Sequence, residues 1–490
     1  MGFIGKTAVV MAVSLALAGS NAGAGEKAAS GKIPITTKSA EARTLYLKGR
    51  ALFETLRAVD AHKQFLAAVA KDKDFALGHF MLANTSQSNQ EFFDELGKAV
   101  ALADKVSEPE RLLIDGLEAG AKGDVARQRE VALKLVEVAP ADERAHNNLG
   151  GYYFGQQDWA NSVAEYEKAL KIDPKFSQPY NQLGYAYRFM ERFDDAERTF
   201  KKYIELIPND PNPYDSYAEL LMKMGRFEDS IKSYEKALKV DPNFTASYIG
   251  IGNDQMFLGH GAEARQAFAR LMAAARTDGE KRTALFWTAV SFIDDGQYDQ
   301  ALGEAKKEAA IAEASKDLGN LAADHQLMGN IYLAAGQPDK AAAEFAEQLE
   351  ISARAQVPEV NKQQVKRNSL FNQGRVAIAK KDLAGAKKIA DDYAKQVADK
   401  KILFEVWQSH ELSGAVAIEE KRYADAVAEL GQSNQLDPRV LYLTAVALQG
   451  QGDVQKAKAF CTKAANFNGL AFDLAYVRKQ AKDLLGKLVG

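Results

Sequence analysis

The sequence has little of what cross-linked or nucleic-acid-binding proteins need. One cysteine among 490 residues excludes an internal disulfide and any metal site built from several cysteines. Twelve prolines leave room for many uninterrupted helices, because proline disrupts the interior of a helix. Lys and Arg number 63 against 66 Asp and Glu, so the basic surplus that nucleic-acid binding requires is absent. We therefore expect a helical protein that binds no nucleic acid.

Motifs for catalysis and metal binding are also absent. No two of the six histidines lie three or four residues apart, the spacing at which a helix presents paired zinc ligands. There is no Gly-x-Ser-x-Gly nucleophile elbow and no Gly-x4-Gly-Lys-Ser/Thr phosphate loop. An enzyme would need a folded domain outside the repeats described below, and the irregular stretch 84–108 is too short to be one. We expect no catalytic residue, no cofactor and no metal.

Long hydrophobic runs are missing except near the N-terminus. Residues 7–19 are apolar and uncharged, Lys6 precedes them, and the small residues Ala22-Gly23-Ala24 follow. This run is shorter than the roughly 20 residues of a spanning helix, and the order is typical of a secretory signal. We predict that residues 1–24 are a signal peptide cleaved near Ala24, with an uncleaved anchor as the alternative. The mature chain would be periplasmic or secreted, without a membrane span, and would begin with a flexible lead-in at 25–40.

Four kinds of residue recur at one constant step in the middle of the chain, and that step is 34 in the numbering. They are a first small residue, a proline, an aromatic residue and a second small residue: Gly116, Gly150, Gly184, Ala218 and Gly252; Pro140, Pro174, Pro208 and Pro242; Tyr166, Phe200, Tyr234 and Phe268; Ser162, Ala196, Ser230 and Ala264. A fixed period of this length indicates a repeat array, in which each supersecondary unit stacks on its neighbours.

This periodic pattern resembles the tetratricopeptide repeat (TPR) family. The copy that best matches the family signature contains Tyr180, Leu183-Gly184, Tyr187, Ala196, Phe200 and Pro208. Gly225 with Phe227, and later Gly296 with Tyr298, mark the turn between two helices. The resemblance implies one antiparallel helix pair per repeat, with Gly184 against Ala196 allowing the two helices to approach closely.

Less regular repeats extend the pattern on both sides. Beyond Gly252 the small residue recurs at uneven and mostly longer steps, as Ala289, Gly329, Gly374, Gly414 and Ala445. Longer steps indicate longer helices or loops. We predict an all-α solenoid of about twelve antiparallel helix pairs with a C-terminal capping helix in 469–490. The N-terminal array would cover 41–276, regular from 109 to 276, and an array of longer, degenerate repeats would cover 282–468.

The resemblance implies a binding surface on the first helix of each pair, which lines the concave face in this family. The candidate groove residues are Asn147, Asn148, Asn181, Gln182, Tyr185, Arg188, Asp215, Ser216 and Arg375. Amide side chains donate and accept hydrogen bonds, as an extended peptide requires. We predict a non-catalytic exported adaptor of the cell envelope that binds a protein or peptide segment in this groove.

A basic segment keeps a second function open. Residues 362–401 contain 11 Lys and Arg against four Asp and Glu. Such a run is either solvated surface or a docking patch for an anionic polymer. Tyr180, Tyr214 and Tyr248 also follow the period of the repeat, as packing residues or as a row on which sugars stack. The alternative function is therefore binding of a glycan or cell-wall polymer through groove aromatics and this segment.

Overall fold

The structure is a computed structural model that describes residues 31–54, 57–86, 88–355, 357–400 and 402–489. The predicted signal peptide at 1–24 lies outside these ranges. Within them the chain forms 25 α-helices, a 3₁₀ turn at Ala103–Lys105 and no strand. The prediction of an all-α solenoid of paired helices is confirmed.

The helices form twelve pairs, with a single helix at the end of the described chain. In each pair an odd-numbered first helix precedes an even-numbered second helix: α1 Ala40–Glu54, α2 Ala58–Lys71, α3 Ala76–Thr85, α4 Asn89–Leu102, α5 Glu108–Lys122, α6 Val125–Val138, α7 Glu143–Gly155, α8 Trp159–Ile172, α9 Ser177–Phe189, α10 Phe193–Leu206, α11 Asn212–Lys223, α12 Phe227–Val240, α13 Thr245–Leu258, α14 Gly261–Ala274, α15 Asp278–Asp294, α16 Tyr298–Ala314, α17 Leu318–Ala334, α18 Pro338–Arg354, α19 Glu359–Ala379, α20 Leu383–Val397, α21 Leu403–Glu419, α22 Tyr423–Leu430, α23 Pro438–Gln451, α24 Val454–Ala465 and α25 Leu474–Val489.

Helix length explains why the period changes after residue 252. Helices α5 to α14, in the regular part of the array, are 12 to 15 residues long. Helices α15 to α18 have 17 residues each, and α19 has 21. About one extra turn per helix therefore accounts for the longer steps.

The chain divides into two compact units, which we describe separately. The first unit comprises residues 2–224 and 232–247, of which the structure describes those from 31 onward with the gaps given above. The second comprises 225–231 and 248–490, described as far as 489. The predicted array boundary at 276–282 falls inside the second unit, between α14 and α15.

The turn inside each of the five pairs from α5 to α14 contains a residue in the left-handed conformation. Gly123, Gln157, Glu191, Gly225 and Gly259 follow one another at the period of the repeat, with φ between 56° and 84°. Glycine is the usual residue at such a helix end because it has no Cβ to clash. The repeat therefore imposes the same turn where the sequence has Gln157 or Glu191.

Close approach within a pair depends on a glycine of the first helix that faces a large side chain of the second. A Cβ built on Gly184 would lie 2.6 Å from the ring of Phe200, shorter than any ordinary carbon contact. The same relation, at the same separation in the chain, joins four further pairs of residues: Gly49 with Phe65, Gly150 with Tyr166, Gly252 with Phe268, and Gly329 with Phe345. This corrects the expected partner of Gly184, because the ring of Phe200, not the side chain of Ala196, fills the space that the glycine leaves.

Gly116 occupies the same step of the repeat without this constraint. The residue at the corresponding place on its second helix is Ala132, and a Cβ on Gly116 would meet only Val131, at an ordinary 3.5 Å. The glycine is therefore tight where the second helix places a large side chain against it, as Leu430 also does at 2.6 Å from a Cβ built on Gly414, and Gly116 lacks such a neighbour.

The N-terminal segment differs from the predicted flexible lead-in over its described part. Residues 31–39 form neither helix nor strand, and three carboxylates from later in the chain, those of Asp72, Glu110 and Asp142, accept hydrogen bonds from them. Buried carboxylates that accept N–H groups hold a segment in place, which local composition does not reveal. Residues 25–30 lie outside the described ranges.

The final helix, α25, packs inside the second unit as well as at its end. The Arg478 guanidinium pairs with the Asp294 carboxylate at the end of α15. The rings of Phe472 and Phe286 have centroids 5.8 Å apart. The sole cysteine, Cys461, is fully buried, and its thiol donates to the Ala481 carbonyl of α25 at 3.0 Å. The C-terminal helix therefore covers the last pair and contacts a helix far earlier in the chain.

The glycine contact predicts opposite effects for two identical substitutions. Gly184→Ala should lower the free energy of unfolding by about 1–3 kcal/mol, because the new methyl group overlaps the ring of Phe200. Gly116→Ala should be neutral or stabilise by up to about 1 kcal/mol, because alanine favours the helix and meets no close neighbour. Urea unfolding followed by circular dichroism measures both, and equal effects would contradict the role assigned to the contact.

Candidate functional site

Eight of the nine predicted groove residues lie on consecutive first helices of the first unit. Asn147 and Asn148 are on α7, Asn181 to Arg188 on α9, and Asp215 with Ser216 on α11. These helices lie side by side, since Arg188 on α9 donates to the Glu219 carboxylate on α11 at 3.1 Å. We call this surface the first-helix layer of the first unit.

Burial divides the eight residues into two groups. Five are buried: Asn147, Asn181, Gln182, Asp215 and Ser216. Three are partly exposed: Asn148, Tyr185 and Arg188. The early positions of each first helix lie where the next pair packs against it, so their polar groups belong largely to the interior. The groups that a partner can reach from solvent are those of Asn148, Tyr185 and Arg188.

Arg188 is held in a fixed orientation. Its Nη1 donates to Glu219, and its guanidinium lies over the rings of Tyr185 and Phe189, 4.8 Å and 5.0 Å from their centroids. A planar guanidinium that stacks on rings and pairs with a carboxylate keeps its hydrogen-bonding edges in defined directions. The layer therefore presents one rigid cation beside an aromatic surface.

Asp215 is a neutral acid rather than a fixed charge at neutral pH. Burial and, to a smaller extent, the nearby Glu219 carboxylate raise the pKa of its carboxyl group to about 8, against the hydrogen bond from Ser247, which lowers it. The Ser247 hydroxyl donates to Asp215 Oδ1 at 2.6 Å. Asp215 therefore serves as a hydrogen-bonding group that links α11 to the start of α13.

Helix α9 carries buried acceptors that have no donor. The side-chain oxygens of Gln178, Asn181 and Gln182 accept no hydrogen bond from any residue that the structure describes. A buried polar atom without a partner costs about 1–3 kcal/mol. These acceptors lie in the first two turns of α9, and those of Asn181 and Gln182 are about one helical turn from the partly exposed Tyr185.

The ninth predicted residue, Arg375, lies on α19 in the second unit. Its Nη1 donates to Asn330 Oδ1 on α17 at 2.7 Å. Loss of solvent and, to a smaller extent, the neighbouring Arg439 lower the pKa of Arg375 to about 10. Arg375 therefore connects first helices within its own unit and is not part of the first-helix layer of the first unit.

Near Arg375 lies an ionic network that the sequence patterns do not predict. Arg439 on α23 pairs with Glu411 at 2.6 Å and with Asp473 at 3.7 Å. Burial raises the pKa of Glu411 to about 7 and that of Asp473 to about 6. Asp473 immediately precedes α25, so the network connects the final helix to α21 and α23. No motif relates these three residues, which come from three separate parts of the chain.

The row of tyrosines has a structural role at two of its three positions. The Tyr180 hydroxyl donates to the Pro174 carbonyl at 3.2 Å, and the Tyr214 hydroxyl donates to the Pro208 carbonyl at 3.0 Å. Each hydroxyl reaches the turn that precedes its own helix and satisfies a carbonyl there. The recurring proline and the recurring tyrosine therefore act together, because their hydrogen bond holds the turn between two helix pairs.

The basic segment 362–401 pairs with acids outside it. Arg367 contacts Glu405 at 3.1 Å, Lys380 contacts Asp339 at 2.6 Å, and Lys381 contacts Glu419 at 2.9 Å. Lys401 lies outside the described residues. These ion pairs partly neutralise the local excess of positive charge. The composition of the segment alone therefore overstates the positive electrostatic potential of this surface.

The described residues contain neither a cluster of metal ligands nor a helix suited to span a membrane. No group of three His, Cys, Asp or Glu side chains in those residues is arranged to hold a metal ion. No helix of the described part combines the length and the apolar character that crossing a membrane requires.

Paired helices stacked in a repeating register, with a polar layer on their first helices, define a helical-repeat protein. Family models described as TPR repeat or tetratricopeptide repeat match residues 152–188, 177–210, 211–244 and 249–317. The chain is a tetratricopeptide repeat protein, and proteins of this kind are scaffolds for protein interaction.

Solved structures resemble the chain only in part. The structure titled "Crystal structure of MamA protein" shares 20% identity over 34% of this chain and 91% of that one, with a TM-score of 0.29. A tetratricopeptide repeat protein from Parabacteroides merdae ATCC 43184 shares 16% identity over 54% and 99%, with a TM-score of 0.36. Likeness at this level carries no argument about function. A search of curated proteins finds no match.

Asp215 predicts a pH dependence of stability. Because the folded-state pKa of about 8 lies above the ordinary 3.8, the folded protein holds this proton more tightly than the unfolded chain. Its contribution to stability is therefore complete below about pH 4 and is lost as the pH rises to about 8. Asp215→Asn should remove that loss and raise the melting temperature above pH 8. Asp104→Asn, at a side chain that is 95% exposed, is the control and should change neither the pH dependence of stability nor the melting temperature above pH 8.

Proposed function

We propose that this protein is a non-catalytic adaptor of the cell envelope that binds an extended protein segment along the first-helix layer of the first unit. The observation that carries the proposal is the set of accessible polar and aromatic groups, Asn148, Tyr185 and Arg188, on neighbouring first helices. The TPR architecture supports a protein partner.

The chemistry of the layer favours an extended peptide. A peptide backbone alternates N–H donors with carbonyl acceptors. Asn148, Tyr185 and Arg188 are partly exposed on neighbouring first helices. A segment lying across α7, α9 and α11 would exchange hydrogen bonds with the Asn148 amide and would place a carbonyl against the accessible edge of the Arg188 guanidinium. The rings of Tyr185 and Phe189 would bury an apolar side chain of the partner.

Export rests on the order of residues at the N-terminus. A lysine, an uncharged apolar run and small residues ending at Ala24 are arranged as in a secretory signal. Stacked helices stabilise the fold, and its single thiol, that of Cys461, is buried. This also suits an exported chain, because no exposed cysteine is available for oxidation. The partner would then be an envelope protein.

Binding should depend on the exposed part of the layer. Mature protein immobilised on a resin is incubated with an envelope extract of the source organism, and retained proteins are identified by mass spectrometry. Asn148→Ala, at a partly exposed position, should weaken retention of a specific protein at least about tenfold, equivalent to about 1.4 kcal/mol. The matched control is Lys171→Ala, an exposed residue of the second helix α8. Equal retention by both variants would contradict the proposed surface.

Export predicts a defined mature terminus. The protein purified from its native host should begin at Gly25, as Edman sequencing or intact mass would determine, and should fractionate with the envelope or medium. An Ala22→Lys variant should retain residues 1–24, because signal peptidases require a small residue near the cut. A native chain that still begins at Met1 would contradict cleavage.

A further inference from the structure

A segment of the chain that is neither helix nor strand contacts three successive junctions between helix pairs of the first unit. We call residues 31–39 the arm. Three of its backbone N–H groups donate to three carboxylates, Ile33 to Asp142 at 2.7 Å, Thr36 to Glu110 at 2.6 Å and Lys38 to Asp72 at 3.0 Å. These acceptors, which we call the acidic edge, lie where one pair ends and the next begins.

Side chains of the arm add to the backbone contacts. The Thr36 hydroxyl donates to Glu110 Oε2 and the Thr37 hydroxyl to Asp72 Oδ2, both at 2.6 Å. The Lys32 ammonium pairs with Glu143, next to Asp142. Hydrogen bonds to an ionised carboxylate are shorter and stronger than neutral ones. The arm is thus recognised by main chain and side chain together.

The spacing of the arm matches the spacing of the array. Ile33 and Thr36 are three residues apart and Thr36 and Lys38 are two apart, steps of about 10 Å and about 7 Å in an extended chain. Packed helices lie about 8–10 Å apart, so steps of this size lead from one acceptor of the edge to the next. Pro34 keeps Ile33 extended, because the residue before a proline avoids the helical region.

The carboxylates of the acidic edge are positioned by groups other than the arm. Asp142 caps the N-terminus of α7 and accepts the Arg144 N–H at 2.9 Å. Glu110 accepts the N–H and the hydroxyl of Ser107 at 3.1 Å and 2.7 Å. Asp72 accepts the Asp74 N–H at 3.2 Å. Because local contacts orient each acceptor, the edge keeps its geometry when the arm is withdrawn.

We propose that the acidic edge is a second peptide-binding site, separate from the first-helix layer, and that the arm is its resident occupant. Its ligand class is an extended segment with three N–H donors, the second three residues after the first and the third two residues after the second, and with a lysine before the first donor. The same sequence supplied in trans occupies the edge once the arm of the chain itself has lost its donors.

The test uses the full chain with Ile33→Pro and Thr36→Pro, which removes two N–H donors outside any helix. The probe is a fluorescent synthetic peptide of residues 31–39, followed by anisotropy. It should bind the double variant at least tenfold more tightly than the unaltered chain, whose edge is occupied. Adding Glu110→Gln should reduce that binding at least tenfold. A control peptide with the same two prolines should not bind.

Two results would overturn the proposal. One is equal binding of the peptide to the double variant and the unaltered chain, and the other is no binding to a double variant whose circular dichroism is native. Amide exchange of the unaltered chain gives an independent measure, because the N–H groups of Ile33 and Thr36 should exchange much more slowly than those of a free peptide. Exchange at free-peptide rates would also overturn it. None of these readouts depends on the first-helix layer.

Discussion

The contact between a glycine of the first helix and a ring of the second sets the geometry on which the rest of the structure depends. At Gly150, Gly184, Gly252 and Gly329 the space of a Cβ is taken by an aromatic ring of the paired second helix. The two helices can approach only because one of them has no side chain at the crossing point. The distance between the two helices of such a pair is therefore fixed, and the spacing of the first helices follows from that distance.

That spacing explains why most of the polar side chains at the early positions of the first helices are buried. Helices as close as α9 and α11 bring Arg188 to Glu219, and the link from α11 to α13 brings Asp215 to Ser247. Polar groups taken from water in this way must satisfy one another or remain unpaired, as those of Asn181 and Gln182 do. The binding surface is consequently narrower than the list of predicted groove positions, because only Asn148, Tyr185 and Arg188 of the eight residues on this layer are partly exposed.

Features with a local cause were predictable from the sequence, and features that depend on distant contacts were not. The twelve pairs, the turn at Gly225 and the longer helices after residue 252 follow from glycine, proline and aromatic residues whose effects lie within one repeat. The helices that carry the candidate site were also predictable, because the period assigns each position. Three features depend on contacts between separate elements, and no periodic pattern in the sequence indicates them. They are the burial of Asn181, the pairing of Arg439 with Asp473 and the hydrogen bond from Ile33 to Asp142.

The central claim is that a protein segment binds along the first-helix layer of the first unit. The most direct test places a photoreactive amino acid at position 148 of the exported chain in living cells, and at position 171 as the comparison. The account predicts a covalent adduct with another protein from position 148 and none from position 171. Adducts from position 171 alone, or from neither position in a folded and exported chain, would contradict it.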